Sequence, residues 1–141
     1  MKAYLTRRYW FSASHRLHNR SLSAQENRQL YGKCDNPYGH GHNYALEVTV
    51  SGRIDPHTGM VCPRRELDAA VEREILARFD RENLNTIDAF AESVPSSESL
   101  AVEIFKILQR SLRSAHLEKV RLEETFNNAF EYAGGDEVRQ R

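Results

Sequence analysis

Apolar and polar residues alternate over residues 42–52, and the apolar ones share one parity. A period of two predicts a strand with one buried face. Residues 2–14 are rich in Tyr, Trp, Phe and Thr, which favour strands, so a second strand is predicted there. Near the carboxyl end, residues 120–122 alternate again, a turn follows near residues 127–128, and residues 130–132 form a last short strand.

The middle of the chain changes to a helical period. In residues 64–79, and again in residues 97–113, apolar side chains return every three or four positions and fall on one helical face. Pro95 precedes the second of these helices, and either Ser96 or Ser97 is a suitable N-cap for it.

Between the first two strands, residues 18–38 are polar and irregular, with turn-forming Gly and Pro, and predict a long loop. The element order is then β-β-α-α-β-β in one domain spanning residues 1–141. This order is typical of an α+β fold, here a four-stranded antiparallel sheet with two helices on one face. Because the other face of the sheet is left uncovered, we expect the chain to associate with copies of itself.

The chain has 20 basic and 20 acidic residues among 141, so its formal charge is zero. A neutral surface argues against nucleic-acid binding, which needs a basic face. No apolar run approaches the roughly 20 residues that span a membrane, and the first ten residues lack the apolar core of a signal peptide. Two cysteines are too few for a disulfide framework. These features predict a cytoplasmic protein with reduced thiols and no membrane partner.

Three of the six histidines form a pattern. His40 and His42 are two residues apart and lead into a predicted strand, so their side chains share its apolar face. His15 ends the first predicted strand and reaches the other two if the strands pair. Three imidazoles with one open position are typical of a catalytic zinc site, whereas a polar Gly-His-Gly-His loop without a metal is the alternative. The remaining histidines show no partner pattern and are interpreted as surface residues: His18, His57 and His116.

Cys34 lies in the polar loop, six residues before His40. A thiol beside a cation has a lowered pKa and is a better base or nucleophile. The other interpretation is a fourth ligand that closes the zinc site, and spacing does not decide between the two. Cys62 lies in an apolar stretch and is interpreted as a packing residue.

Two acidic positions also stand out. Glu124 continues the row of Val120 and Leu122, and a carboxylate there needs a partner because burying it alone is costly. A guanidine-like edge, such as that of a pterin, offers it two parallel hydrogen bonds, whereas a strand-end side chain that turns to solvent is the alternative. Asp80 and Arg81 end the first predicted helix and by themselves look like an exposed ion pair.

Several segments, in this order, carry a family resemblance: Phe11–Leu17, Tyr31–Tyr44, Ile54–Val61, Asn83–Asn85, Ser96–Glu98 and Glu124–Asn128. Together they resemble the 6-pyruvoyltetrahydropterin synthases over nearly the whole chain. The related 6-carboxytetrahydropterin synthases usually have a shorter gap than the five residues between Cys34 and His40.

The resemblance implies a tunnelling fold (T-fold), in which trimers form a barrel, two trimers form a homohexamer, and active sites lie between subunits. It implies one set of Zn²⁺ ligands: His15, His40 and His42. The implied catalytic residues are Cys34, as general base, and Asp80. The implied substrate-binding residues are Glu124, which anchors the pterin ring, with Ser96, Ser97 and Glu98. The implied reaction is that of a zinc-dependent lyase, which converts a small reduced pterin triphosphate, 7,8-dihydroneopterin triphosphate, to 6-pyruvoyl-tetrahydropterin with loss of triphosphate.

One departure from the family pattern is serious, and smaller ones lie at Cys62-Pro63 and at Ser96 and Ser97, where the family usually carries Thr. The family typically has Asp-His where this chain has Asp80-Arg81. Arginine does not give up its proton at ordinary pH, so a proton relay through Arg81 is not expected. A pterin-binding homologue with little turnover is therefore one alternative function. A 6-carboxytetrahydropterin synthase-type activity, in which catalysis is kept and the substrate or product differs, is another.

Overall fold

The computed structural model describes residues 1–135, so residues 136–141 of the predicted domain lie outside the described residues. Its strands are β1 Lys2–His15, β2 His40–Arg53, β3 Glu82–Asn83, β4 His116–Thr125 and β5 Asn128–Tyr132. Its helices are α1 Ala24–Tyr31, α2 Arg64–Val71, α3 Ala77–Phe79 and α4 Ser97–Ser111. The strands form one sheet in the order β3-β1-β2-β4-β5.

The sheet is built around the antiparallel pair β1 and β2, which are in register along their whole lengths. Phe11 lies opposite Tyr44, and His15 lies opposite His40. The four long strands confirm the predicted α+β fold. The two-residue strand β3, parallel to β1, makes the sheet five-stranded rather than four-stranded. A strand of two residues has no period, so the sequence pattern could not reveal it.

The core lies between the sheet and the helices on one of its faces. Alternate residues of β2 and β4 point toward α4 and are fully buried, as Leu46, Val48 and Leu122 illustrate. Burying each such side chain stabilises the fold by roughly 1.5–3 kcal/mol. The predicted helix over residues 64–79 is present as α2, a π-helical turn and α3 in succession.

Residues 18–38 are more regular than the predicted loop, because they contain α1 and a 3₁₀ turn at Gly32–Asp35. The helix has no apolar period, and its buried residue is Asn27, whose amide donates to the carbonyls of Asn19, Leu22 and Ser23. A capping box between Ser23 and Glu26 starts it. The Ser-x-x-Glu spacing of that capping box was the sequence signal for a helix here, which the pattern of apolar residues does not show.

The second face of the sheet carries no helix among residues 1–135, and it exposes two large aromatic side chains. Tyr4 and Trp10 are 62% and 66% exposed. This agrees with the expectation of an uncovered sheet face. In the same part of the chain, every helix is too short or too polar to cross a membrane.

Candidate active site

Pairing of β1 with β2 brings three histidines together at one end of the sheet. His15 and His40 are directly opposed, and His42 lies opposite Ala13, so all three rings are on the helix-facing side. One ring nitrogen from each lies within 4.8 Å of the other two. Within residues 1–135, neither Cys34 nor Glu124 belongs to this mutually close set. The group could therefore hold a metal ion through three imidazoles.

The hydrogen bonding of these rings fits a cation. Nδ1 of His40 and Nε2 of His42 are buried and have no hydrogen-bond partner in the described part of the chain. Burial lowers the pKa values of His15 and His42, so both rings are neutral at pH 7 and keep a lone pair. Leaving buried polar atoms unpaired is costly, and a metal ion bound by neutral imidazoles would satisfy them.

His15 is oriented by the start of α4. Its Nδ1 lies 2.7 Å from the carbonyl oxygen of Pro95, which can accept a hydrogen bond from the ring. Ligand histidines usually donate their second nitrogen in this way, which fixes the ring and its tautomer. Pro95 was identified from the sequence only as a helix-start signal, and its contact with His15 required the fold.

Glu124 lies beside the histidines on the inner face of β4. Its side chain is 16% exposed, and Oε2 lies 3.9 Å from Nε2 of His42. The Ser97 hydroxyl donates a hydrogen bond to the same carboxylate, and Tyr44 lies 3.4 Å from the Ser97 hydroxyl oxygen. The row of Val120 and Leu122 thus continues to Glu124 as its parity indicated. Tyr44 has the same parity as His42, which was the available signal for its place here.

Cys34 lies in the 3₁₀ turn after α1, where its carbonyl oxygen accepts a hydrogen bond of 2.7 Å from the Leu17 backbone N–H. The thiol is half-buried. Burial raises its pKa and the charge of Glu124 raises it further, while the ammonium of Lys33 lowers it. The thiol therefore lies within electrostatic range of both a carboxylate and a cation.

Asp80 and Arg81 both form hydrogen bonds with the backbone of Ser12 on β1. Asp80 accepts a hydrogen bond of 2.9 Å from the Ser12 backbone N–H, and the Arg81 backbone N–H donates one of 2.5 Å to the Ser12 carbonyl. Arg81 has φ of 63°, a left-handed conformation two residues beyond the end of α3 and after the extended Asp80. Within residues 1–135 the two residues form no ion pair with each other, and neither forms a hydrogen bond to Cys34.

The three residues predicted to bind substrate at the start of α4, Ser96, Ser97 and Glu98, have different surroundings in the structure. Ser97 is buried and reaches Glu124. Ser96 caps the helix, with its oxygen accepting from the Ser99 backbone N–H at 3.2 Å. Glu98 is exposed and faces a surface cavity with Ser93 and Val102, away from the histidines of its own subunit.

His18, interpreted from the sequence as a surface residue, is instead partly buried and has a partner. Its Nδ1 lies 2.5 Å from Oδ1 of Asp35, which also lies 3.1 Å from the guanidinium of Arg16. The hydrogen bond with His18 and the charge of Arg16 lower the pKa of Asp35. The two segments are joined by a backbone hydrogen bond from Leu17 to Cys34 and by these side-chain contacts with Asp35, all of them between residues distant in the sequence, so no local pattern predicted this cluster.

The fold and these side chains define an α+β enzyme domain with a metal-capable histidine site and a neighbouring carboxylate. The family described as 6-pyruvoyl tetrahydropterin synthase matches residues 4–135, and the chain belongs to that family. The predicted family, and with it the prediction of an enzyme, is confirmed.

Individual relatives give the same result. The chain is 46% identical to the 6-pyruvoyl tetrahydrobiopterin synthase of Homo sapiens, with 94% of this chain and 92% of that protein covered. It is also 46% identical to the enzyme of the same name from Poecilia reticulata, over 93% of this chain and 90% of that one. The structure of 6-pyruvoyl tetrahydropterin synthase from Caenorhabditis elegans superposes with a TM-score of 0.91 at 37% identity, covering 96% and 97% of the two chains. The predicted T-fold is thereby confirmed.

Proposed function

We propose that the protein is a zinc-dependent lyase that converts 7,8-dihydroneopterin triphosphate to 6-pyruvoyl-tetrahydropterin with loss of triphosphate, in tetrahydrobiopterin biosynthesis. In this proposal residues 1–141 form one pterin-binding domain. The two free thiols, Cys34 and Cys62, are consistent with a reducing compartment, and we propose the cytoplasm.

The observation that carries the proposal is the close set of three imidazoles beside Glu124. His15, His40 and His42 would hold zinc, because three imidazole rings supply a donor set typical of a catalytic site. When bound, zinc would act as a Lewis acid that polarises a side-chain hydroxyl of the substrate and acidifies the adjacent carbon.

Glu124 would orient the substrate. The pterin edge carries an amino group and a ring N–H side by side, and a carboxylate accepts both in parallel. The hydrogen bond from Ser97 holds the Glu124 carboxylate close to the histidine set, 3.9 Å from Nε2 of His42, so a ring bound there would place its side chain near the metal.

Cys34 would be the general base that takes the proton from the substrate carbon as the triphosphate leaves. In the single subunit, burial and Glu124 favour the neutral thiol, since both raise its pKa. The charge of Lys33 opposes them, and pairing Glu124 with pterin N–H donors would weaken its effect on the thiol. The pairing of Glu124 with the pterin ring would thus favour the thiolate.

Asp80 would act on the site of another subunit. Within its own subunit it contacts the backbone of Ser12 and makes no hydrogen bond with Cys34 in residues 1–135. A homohexamer made of two trimers, with active sites between subunits, would supply the missing contact. The exposed Tyr4 and Trp10 on the uncovered sheet face are consistent with burial by further copies. Ser96 and Glu98 would likewise contribute to pterin binding at such a boundary.

A second candidate is a pterin-binding protein with little turnover. Arg81 favours it, because a guanidinium cannot relay a proton at neutral pH. We prefer the enzyme, because the thiol, the carboxylate and the three imidazoles are all present, and both curated relatives described above carry the pyruvoyl name.

The direct test is to incubate the zinc-loaded protein with 7,8-dihydroneopterin triphosphate and identify the products by mass spectrometry. We expect free triphosphate and the 6-pyruvoyl product. Cys34→Ala should slow turnover by about 10²- to 10⁴-fold, the usual contribution of a general base. Cys62→Ala removes a thiol buried in the core and is the matched control. Binding of the pterin without any product from wild-type protein would favour the second candidate.

A further inference from the structure

The segment between β1 and β2 is basic although the chain as a whole is neutral. Residues 16–38 contain four permanent cations: Arg16, Arg20, Arg28 and Lys33. They contain only two acidic residues, Glu26 and Asp35, and both are engaged locally. The Glu26 carboxylate accepts the backbone N–H of Ser23 at 2.9 Å as part of the α1 capping box. We call the four cations the basic strip.

Asp35 holds one end of this strip in place. It is 8% exposed, and its carboxylate is shared between His18 and the guanidinium of Arg16. Nε of Arg16 also donates a hydrogen bond of 3.0 Å to the Asp35 backbone carbonyl. The guanidinium of Arg16 is therefore fixed by two contacts with Asp35, yet 31% of its side chain remains exposed.

The other three members of the strip are exposed to solvent. Arg20, Arg28 and Lys33 form no ion pair and no side-chain hydrogen bond within residues 1–135. Burying such cations in an assembly without anions would be costly. They are therefore available to an anion that approaches the strip.

Two cavities give an extended anion room to lie along the strip. One, of about 1100 Å³, is lined by Arg16, His18, Arg20 and Pro95 among others. The other, of about 650 Å³, is lined by Arg16, His18, Arg28 and Lys33 among others. Because Arg16 and His18 line both, the two cavities are neighbours across one fixed arginine.

The strip adjoins the candidate active site at two points. Arg16 directly follows His15, and Pro95, which bonds the His15 ring, lines the larger cavity. Lys33 directly precedes Cys34 and lowers the pKa of its thiol, whereas Glu124 raises it. The Cys34 thiol is therefore within electrostatic range of two groups. One is the Glu124 carboxylate, which is suited to a pterin ring, and the other is Lys33, a member of the basic strip.

We infer that the basic strip binds the triphosphate of the substrate and the triphosphate released from it. The inference rests on the proposed function for the identity of the substrate, but the strip itself is an inorganic polyphosphate site that can be tested without a pterin. Three linked phosphates are long enough to contact more than one cation, and charge-assisted hydrogen bonds from Arg to phosphate oxygens are among the stronger ones in proteins.

The test uses inorganic tripolyphosphate as the probe and the full-length, zinc-loaded protein. Binding is measured by calorimetry at constant ionic strength, for wild type and for the double variant Arg20→Gln/Arg28→Gln. The matched control is Arg65→Gln/Arg110→Gln, which removes two exposed arginines elsewhere and changes the net charge equally. We expect saturable binding in wild type and in the control, and about tenfold weaker binding or more in the strip variant.

Kinetics with 7,8-dihydroneopterin triphosphate supply a second readout. The strip variant should raise KM about tenfold with a smaller change in kcat, while its affinity for 7,8-dihydroneopterin, which lacks phosphate, should not change. Absence of tripolyphosphate binding to wild type, or equal binding and equal KM in both double variants, would overturn the inference even if the enzyme is active. Strip-dependent tripolyphosphate binding in a protein that neither binds nor converts the pterin would support the strip and contradict the proposed function.

Discussion

Two polar clusters lie on the helix-facing side of β1, and they differ in whether their atoms have partners. At one end, Arg7 and Tyr9 share the carboxylate of Asp68 on α2, with contacts of 2.6 to 3.2 Å. At the other end, two buried nitrogens of the histidine cluster have none in residues 1–135. In the first cluster these hydrogen bonds join β1 to α2, so the cluster has a structural role. The second has two nitrogens for which residues 1–135 supply no partner.

This difference shows how to separate a structural polar group from a functional one. Buried polar atoms are normally paired, so an unpaired group points to a missing ligand. Both clusters contain titratable groups with shifted pKa values, since the hydrogen bond from Arg7 lowers the pKa of Asp68 and burial lowers that of His15. A pKa shift alone would therefore not have distinguished them.

The largest expected effect is the loss of the metal. His40→Ala removes one of three ligands, so bound zinc should fall from about one per chain to well below that. Turnover should drop by at least about 100-fold, since even changes behind the ligands cost 10–100-fold. Metal analysis of purified protein checks this, and His57→Ala, an exposed histidine, is the control. Full zinc content in His40→Ala would contradict the three-histidine site.

The next effect concerns Glu124. Glu124→Ala should weaken pterin binding by roughly 2–5 kcal/mol, because it removes the carboxylate that would pair with the ring in a partly buried site. Calorimetry with 7,8-dihydroneopterin measures the change. Glu123→Ala is a matched control, since Glu123 lies opposite Ala45 on the other face of the sheet. Equal affinities of the two variants for 7,8-dihydroneopterin would contradict a role for Glu124 in pterin binding.

A smaller effect on turnover is expected from substituting Arg81. The substitution tests whether Arg81 has a role in the reaction besides its structural contacts. Arg81→His restores the residue typical of the family, and a recovered relay should raise turnover by about tenfold or more. The backbone bond to Ser12 does not depend on the side chain, so the fold should persist. If a folded, zinc-loaded Arg81→His variant is no faster than wild type, Arg81 is a working part of the site.

The smallest effect belongs to the completed cluster. Asp68→Asn should lower the free energy of unfolding by about 1 kcal/mol, because Asp68 is 38% exposed and its ion pair is screened. The native pKa of Asp68 is depressed, so its contribution is present at pH 7 and is lost as the pH falls through that lowered value. Urea denaturation should therefore show the two proteins converging in acid. Zinc content should be the same in both, and a loss of zinc would mean that the clusters are coupled.

Much of the histidine site could be predicted from local pattern. The two-residue spacing of His40 and His42, followed by an alternating strand, determined that their rings share the buried face. The parity of Glu124 with Val120 and Leu122 did the same on β4. Strand geometry makes side-chain direction a property of position along the chain, so these predictions needed no knowledge of the fold.

Contacts between distant segments were decided only by tertiary structure. The pairing of His15 with Pro95 and of Glu124 with Ser97 depends on where α4 packs against the sheet. The cluster of Arg16, His18 and Asp35 depends on how the two ends of the loop meet, and the bond from Ser12 to Asp80 depends on where the end of α3 meets β1. The physical reason is range, because alternation and capping act over a few residues. Which far side chains meet is set by how complete elements bury their apolar faces together.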